Sequence, residues 1–167
     1  MNNYAVRVAT LADAAGVSAV LAASYPTLME SAYDKAVLDR ALELITKAQP
    51  ALLESGRFYI AESQDELVVG CGGWSIERPG DGLVEAKRAY IRHFVTHPEW
   101  TNRGIGRAIY GQCESDARSA GITSFDCYSS LNAEGFYCAL GFVRTRRIDL
   151  EIAPKVNLPS VLMRLQF

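Results

Sequence analysis

The chain has 167 residues, 49% of them apolar, a formal net charge of −2 and four cysteines. Length and balance describe one globular domain over residues 1–167 with a sizeable core, and the slight negative charge without any Lys/Arg block argues against nucleic-acid binding. No apolar run reaches the roughly 20 residues of a membrane span and Met1 to Val8 lacks a leader pattern, so a cytoplasmic protein with no membrane association is expected.

Tyr4 to Val8 alternates as a short strand does, and Thr10 followed by Asp13 offers a capping box for a helix reaching about Tyr25. Asp34 caps a second helix, with Val37, Leu38, Ala41, Ile45 and Ala48 at helical spacing until Pro50 interrupts it. Pro50 opens a short helix ending at Gly56. Arg57 to Glu62 and Leu67 to Ile76 then read as a hairpin around the polar turn Ser63 to Glu66, with Gly70, Gly72 and Gly73 pointing to a bulge or a tight backbone approach. Glu77 to Gly82 reads as a surface loop before the longest strand, Lys87 to Thr96.

Beyond Gly106, the residues Ala108, Ile109, Cys113, Ala117 and Ala120 recur at helical spacing, and Gly121 terminates the helix. A strand over Ser124 to Ser129, a short helix over Ala133 to Leu140 stopped by Gly141, and strands over Phe142 to Ile152 and Val161 to Leu165 complete the chain. The last strand offers an edge for a dimer. Cys71, Cys113, Cys127 and Cys138 lie in apolar segments with no C-x-x-C pair and only His93 and His97 to complete a metal site, so buried free thiols and no metal are expected. The order of elements fits a mixed α/β sheet flanked by helices, mostly antiparallel, with one parallel β-α-β crossover around residues 90 to 129.

In Arg103-Gly104-Ile105-Gly106-Arg107 a strand gives way to a glycine turn and then a helix. Glycines there keep side chains clear of an anion, the helix start offers unpaired amides and a positive dipole end, and the two arginines supply formal charge. A pyrophosphate would suit such a turn, although a G-x-G alone is weakly specific. A dinucleotide fingerprint counted from Gly104 needs glycine at 109, where Ile109 stands, and the Gly-Lys-Ser/Thr ending of a Walker loop is absent.

Two separate segments carry a family resemblance. His97-Pro98-Glu99-Trp100-Thr101-Asn102-Arg103-Gly104-Ile105-Gly106 resembles the pyrophosphate motif Gln/Arg-x-x-Gly-x-Gly/Ala of the GNAT acetyltransferases, with Thr101 where the family usually has Gln or Arg. Asn132-Ala133-Glu134-Gly135-Phe136-Tyr137-Cys138-Ala139-Leu140-Gly141-Phe142 resembles the family's Asn…Phe-Tyr…Gly-Phe signature. The resemblance spans nearly the whole chain and implies a GNAT-type fold and an N-acetyltransferase using acetyl-CoA. It also implies that Gly104, Ile105, Gly106, Arg103 and Arg107 meet the pyrophosphate and that Asn132 hydrogen-bonds CoA. Backbone groups of Phe94, Val95 and Thr96 would meet the pantetheine amides and the oxyanion, and Tyr137 would lie near the sulfur; Phe136 and Phe142 read as core residues.

Direct attack of an amine on a thioester requires alignment, oxyanion stabilisation and handling of two protons. Tyr137, with a reference pKa of about 10, is the candidate general acid for a leaving thiolate of about 8.5. The base is either His93, which has a suitable intrinsic pKa near the strand end, or a carboxylate such as Glu85 acting through water. The resemblance puts Tyr25, Glu30, Tyr33 and Asp34 near the acceptor, a small-molecule or peptide amine. A non-catalytic CoA-binding sensor and a nicotinamide-dependent oxidoreductase are the alternatives, and both monomer and homodimer are open.

Overall fold

The structure, a computed structural model, describes residues 3–167. Strands β1 (Tyr4–Val8), β2 (Phe58–Ser63), β3 (Val68–Ser75), β4 (Arg88–Thr96), β5 (Ser124–Ser130), β6 (Val143–Ala153) and β7 (Val156–Gln166) form one sheet in the order β1-β2-β3-β4-β5-β7-β6. Neighbours are antiparallel except β4 and β5, which are parallel and joined by the α4 crossover. The helices are α1 (Ala14–Met29), α2 (Lys35–Ile45), α3 (Pro50–Glu54), α4 (Ile105–Ser119) and α5 (Glu134–Leu140).

The two sheet faces are covered by different helices. Ile105, Ile109, Cys113 and Ala117 recur every four residues on α4, and all four are buried against a cluster that includes Tyr59, Trp74, Ala89 and Phe125. On the opposite face Val17, Val20 and Leu21 of α1 and Leu52 and Leu53 of α3 close over Phe58, Ile60, Cys71 and Val95. Glycines in β3 set how closely these layers approach. A Cβ on Gly70 would stand 2.5 Å from Ile105 Cγ2, and one on Gly73 would stand 2.5 Å from the Arg57 carbonyl. The expected close approach is therefore present, and β3 also carries an extra residue against β2, where Ala61 pairs with Gly70 and Glu62 with Val68.

Several boundaries differ from those read in the sequence. The first helix continues through Pro26 to Met29 instead of ending near Tyr25, because proline in a helix's last turns forfeits a single hydrogen bond that packing of Met29 and Leu38 in a third cluster outweighs. The final strand is longer, Val156–Gln166, and is no edge: β5 and β6 flank it, leaving β1 and β6 outermost. Cys71, Cys113 and Cys127 are buried free thiols, but Cys138 is exposed, on the outer side of the short α5.

The feature that creates the site is a divergence of two strands. β4 and β5 pair only at Arg88–Ser124, Ala89–Phe125 and Tyr90–Asp126, although both continue beyond. β5 stays with β7 as far as Ser130–Ser160. β4 instead bends away, because it holds an extra residue where Cys71 and Gly73 of β3 face Val95 and Arg92, and His93 there takes a φ of 50°. Gly72 makes room for the outcome: a Cβ on it would stand 2.6 Å from the Phe94 ring.

Candidate active site

Two cavities meet in this divergence. The first, about 530 Å3, collects most of the predicted cofactor residues. Phe94, Val95 and Thr96 come from β4, Gly104, Ile105, Gly106 and Arg107 from the turn and the first turn of α4, and Asn132 and Tyr137 from beyond β5. Gly104 has a φ of 80°, a left-handed conformation that a glycine adopts without the penalty of a Cβ. Among the described residues the amides of Ile105, Gly106 and Arg107 find no backbone acceptor, as expected for a helix start. Three unspent amides at a positive dipole end beside a roomy cleft fit an anionic phosphate group. Gly106 also leaves room for Phe136, whose ring atoms would lie 2.9 Å from an added Cβ.

Arg103 does not line this cavity. Its guanidinium stacks 4.5 Å over the Trp100 ring and donates to the Glu99 carbonyl at 3.2 Å. Trp100, Thr101 and Asn102 line the cleft instead, and Asn102 supplies a second left-handed turn residue with φ 62°. Phe136, read as core from the sequence, is 36% exposed and belongs to the cavity wall, whereas Phe142 is buried.

The second cavity, about 270 Å3, adjoins the first and is lined by Ile91, Arg92 and His93 of β4 and Cys127 and Tyr128 of β5. Tyr25, Phe94, Ser130, Ala133 and Tyr137 line both, so they form the passage between them. Tyr137 is 5% exposed and held by the Phe94, Phe136 and Phe142 rings at 6.4, 5.1 and 5.5 Å. The chain reversal after α5 fixes it further, since Gly141 is left-handed with φ 103° and Phe142 N–H bonds to the Tyr137 carbonyl at 3.0 Å. Burial above all, and then the Cys127 thiol, raise its hydroxyl pKa well above the ordinary value.

His93 faces the second cavity. The Arg92 Nη2 donates to Gln49 Oε1 at 3.3 Å, which leaves the Gln49 amide nitrogen to donate to His93 Nε2 at 3.0 Å. His93 is thereby assigned the tautomer with its proton on Nδ1 and Nε2 accepting. Burial, then the Arg92 charge, push its pKa down to about 4. The folded state then binds fewer protons than the unfolded chain between about pH 4 and the ordinary histidine pKa near 6.5, so stability is full above that window and declines as pH falls through it. A melting temperature that falls from pH 7 to pH 4.5, with a shallower slope in His93→Gln, is the expected result in thermal melts.

The remaining acid–base and acceptor candidates sit elsewhere. Glu85 bonds to Arg88 Nη1 at 3.0 Å and accepts from Tyr90 Oη at 2.8 Å, lines neither cavity, and is not placed to relay a proton there. Tyr33 accepts from Leu131 N–H at 2.9 Å and donates to the Pro159 carbonyl at 2.6 Å, tying α2's approach to β7. It lines neither cavity, and the same holds for the exposed Glu30 and Asp34. Of that group only Tyr25 lines the site. The wall of the second cavity includes the apolar Met29, Ile45, Leu150, Ile152 and Leu158, the polar Gln49, Tyr128 and Ser130, and Arg92 as the cation. Sequence reasoning missed Arg92 and Gln49 because nothing in a strand or a helix cap marks which side chain a later bulge will turn inward.

The profile of the acetyltransferase (GNAT) family matches residues 22–142, most of the chain. The chain belongs to that family. No curated protein matches it. Among solved structures it resembles a GCN5-related N-acetyltransferase of Rhodopseudomonas palustris, with a TM-score of 0.76 and 21% identity over 100% of this chain and 98% of that one. A PaiA N-acetyltransferase of Thermoplasma acidophilum, solved with coenzyme A, gives 0.72 and 18% over 98% and 99%. A GNAT acetyltransferase of Brucella melitensis, solved with acetyl-CoA, gives 0.59 and 20% over 100% and 90%. At these identities the likeness establishes the GNAT fold, and family membership makes this an acetyltransferase-type chain. No helix among the described residues is long and apolar enough to cross a membrane.

Proposed function

We propose that this GNAT protein is an N-acyltransferase that moves an acetyl group from acetyl-CoA to a primary amine by direct attack in a ternary complex. The observation that carries the reading is the passage itself: two adjoining cavities share Phe94 and Tyr137, which suits a thioester entering through one and an amine through the other. In this reading the amides at the start of α4 receive the pyrophosphate and Arg107 adds charge. Arg103 acts by fixing Trp100. Backbone groups of Phe94, Val95 and Thr96, on the stretch of β4 that β5 no longer pairs, receive the pantetheine and the oxyanion. Asn132 contributes a side-chain amide to the same cleft.

Tyr137 delivers the proton to the leaving thiolate. His93 is unprotonated at neutral pH and accepts the ammonium proton once Gln49 turns aside; its lowered basicity makes it a relay to solvent and not a resting place for the proton.

Acetyl-CoA at 100 times its dissociation constant is expected to stabilise the protein by about 2.7 kcal/mol, read as a higher melting temperature, with CoA acting similarly and NADH having no effect. A shift with NADH alone would reverse the assignment. Acetyl-CoA binding with no thioester consumption across a broad amine and peptide panel would favour a sensor over an enzyme.

A further inference from the structure

Arg92 lines the second cavity, and among the described residues no carboxylate lies within 4 Å of it. Its hydrogen bonds are to Ser75 Oγ at 3.1 Å and Gln49 Oε1 at 3.3 Å, both neutral acceptors. A guanidinium has five N–H donors, so three remain unspent on a residue that lines the cavity. The neighbouring His93 is neutral, and Glu77 influences Arg92 only from beyond ion-pair distance. The other formal charge on the wall is Glu151, which is exposed, has its backbone carbonyl beside Gly80, and forms no ion pair with Arg92. A half-buried guanidinium without a carboxylate partner is costly unless something pairs with it, and its planar fork matches a carboxylate.

Position narrows the ligand further. Arg92 stands two residues before Phe94 on the bulged end of β4, and Phe94 lines both cavities, so cation and passage share one short stretch of chain. Beside Gln49, His93, Tyr128 and Ser130, the wall carries the apolar side chains of Met29, Ile45, Leu150, Ile152 and Leu158, which can receive an apolar side chain. Resting on the transferase reading above, we propose that the acceptor is a compact amino carboxylate, of the class of α-amino acids with apolar side chains, whose carboxylate is held by Arg92 while its amine faces the passage. The acidic groups Glu30 and Asp34, which would have favoured a cationic amine, are not part of the wall.

The test pairs matched acceptors: L-leucine, L-leucinamide and 3-methylbutylamine, each assayed for acetyl transfer from acetyl-CoA with wild type, Arg92→Lys and Arg92→Met. Wild type is expected to prefer leucine by about 10- to 100-fold in kcat/KM, the range of a charge-assisted hydrogen-bonded pair. Arg92→Lys is expected to keep part of that preference, and Arg92→Met to lose it while still being stabilised by acetyl-CoA. Stabilisation of the CoA complex by leucine, lost in Arg92→Met, gives a readout independent of turnover. Equal transfer to all three amines by wild type, or a carboxylate preference that survives Arg92→Met, would overturn this inference and leave the transferase reading standing. No transfer to any amine by a protein that binds acetyl-CoA would overturn both.

Discussion

Replacing Tyr137 with phenylalanine is expected to lower kcat by about 10²- to 10⁴-fold, the usual contribution of a positioned general acid, with acetyl-CoA affinity little changed. The ring contacts with Phe136 and Phe142 survive in that variant, so the fold and the cavity walls are retained. The raised pKa of the phenol does not oppose the role. The same surroundings push the adjacent Cys127 thiol up to about 12, and a thiolate leaving beside it would be desolvated in the same way, so phenol and thiol rise together. An acid acts while protonated, and activity is lost as pH rises through its pKa; with that pKa well above its ordinary value, Tyr137 imposes no loss between about pH 7 and 9.5. Steady-state kinetics across that range decide the matter. A Tyr137→Phe enzyme within twofold of wild type in kcat would reduce Tyr137 to a packing residue and move the proton donor elsewhere.

The sequence made the local parts of this site legible and left the long-range parts hidden. The glycine turn could be read because Gly104, Gly106 and the α4 periodicity are short-range signals of a phosphate-binding helix start, and the structure puts them on one wall. Tyr137 could be read because the segment from Asn132 to Phe142 carries a resemblance, and the Gly141 reversal that fixes it is itself local. The stacking of Arg103 on Trp100, off the cavity wall, was not legible, because its place next to Gly104 in sequence says nothing about which ring its guanidinium meets. Arg92, Gln49 and Glu151 share one cavity although 43 and 59 residues separate Arg92 from the other two. Their meeting depends on the β4 bulge and on β6 and β7 folding back past β5, neither of which has a periodic signature. Glu85 and the dimer edge failed for the same reason: sheet order, and not strand content, determines which side chains reach the passage and which strand is left at the margin.

Phe125→Ala is expected to destabilise the protein by about 3–5 kcal/mol, against a total of roughly 5–15 for a domain of this kind. Phe125 is fully buried in β5 at the middle of the three β4–β5 pairs. It meets Tyr110 of α4 at 6.2 Å, Trp74 of β3 at 6.3 Å and Phe167 at 5.0 Å between ring centroids. Those partners come from separate elements, so no single shift can fill the void, and the edge-on ring contacts add to the area lost. For a chain of this length the expected fall in melting temperature is about 6–20 °C. Phe125 lines neither cavity, and the cofactor cleft is set by the start of α4 and the bulged end of β4, both anchored on β3. The added stability from acetyl-CoA should therefore persist in Phe125→Ala even as the baseline drops. A normal melting temperature would contradict the packing argument. A lowered one with the acetyl-CoA increment also gone would mean that the short parallel pairing, and not the bulge, holds the passage open.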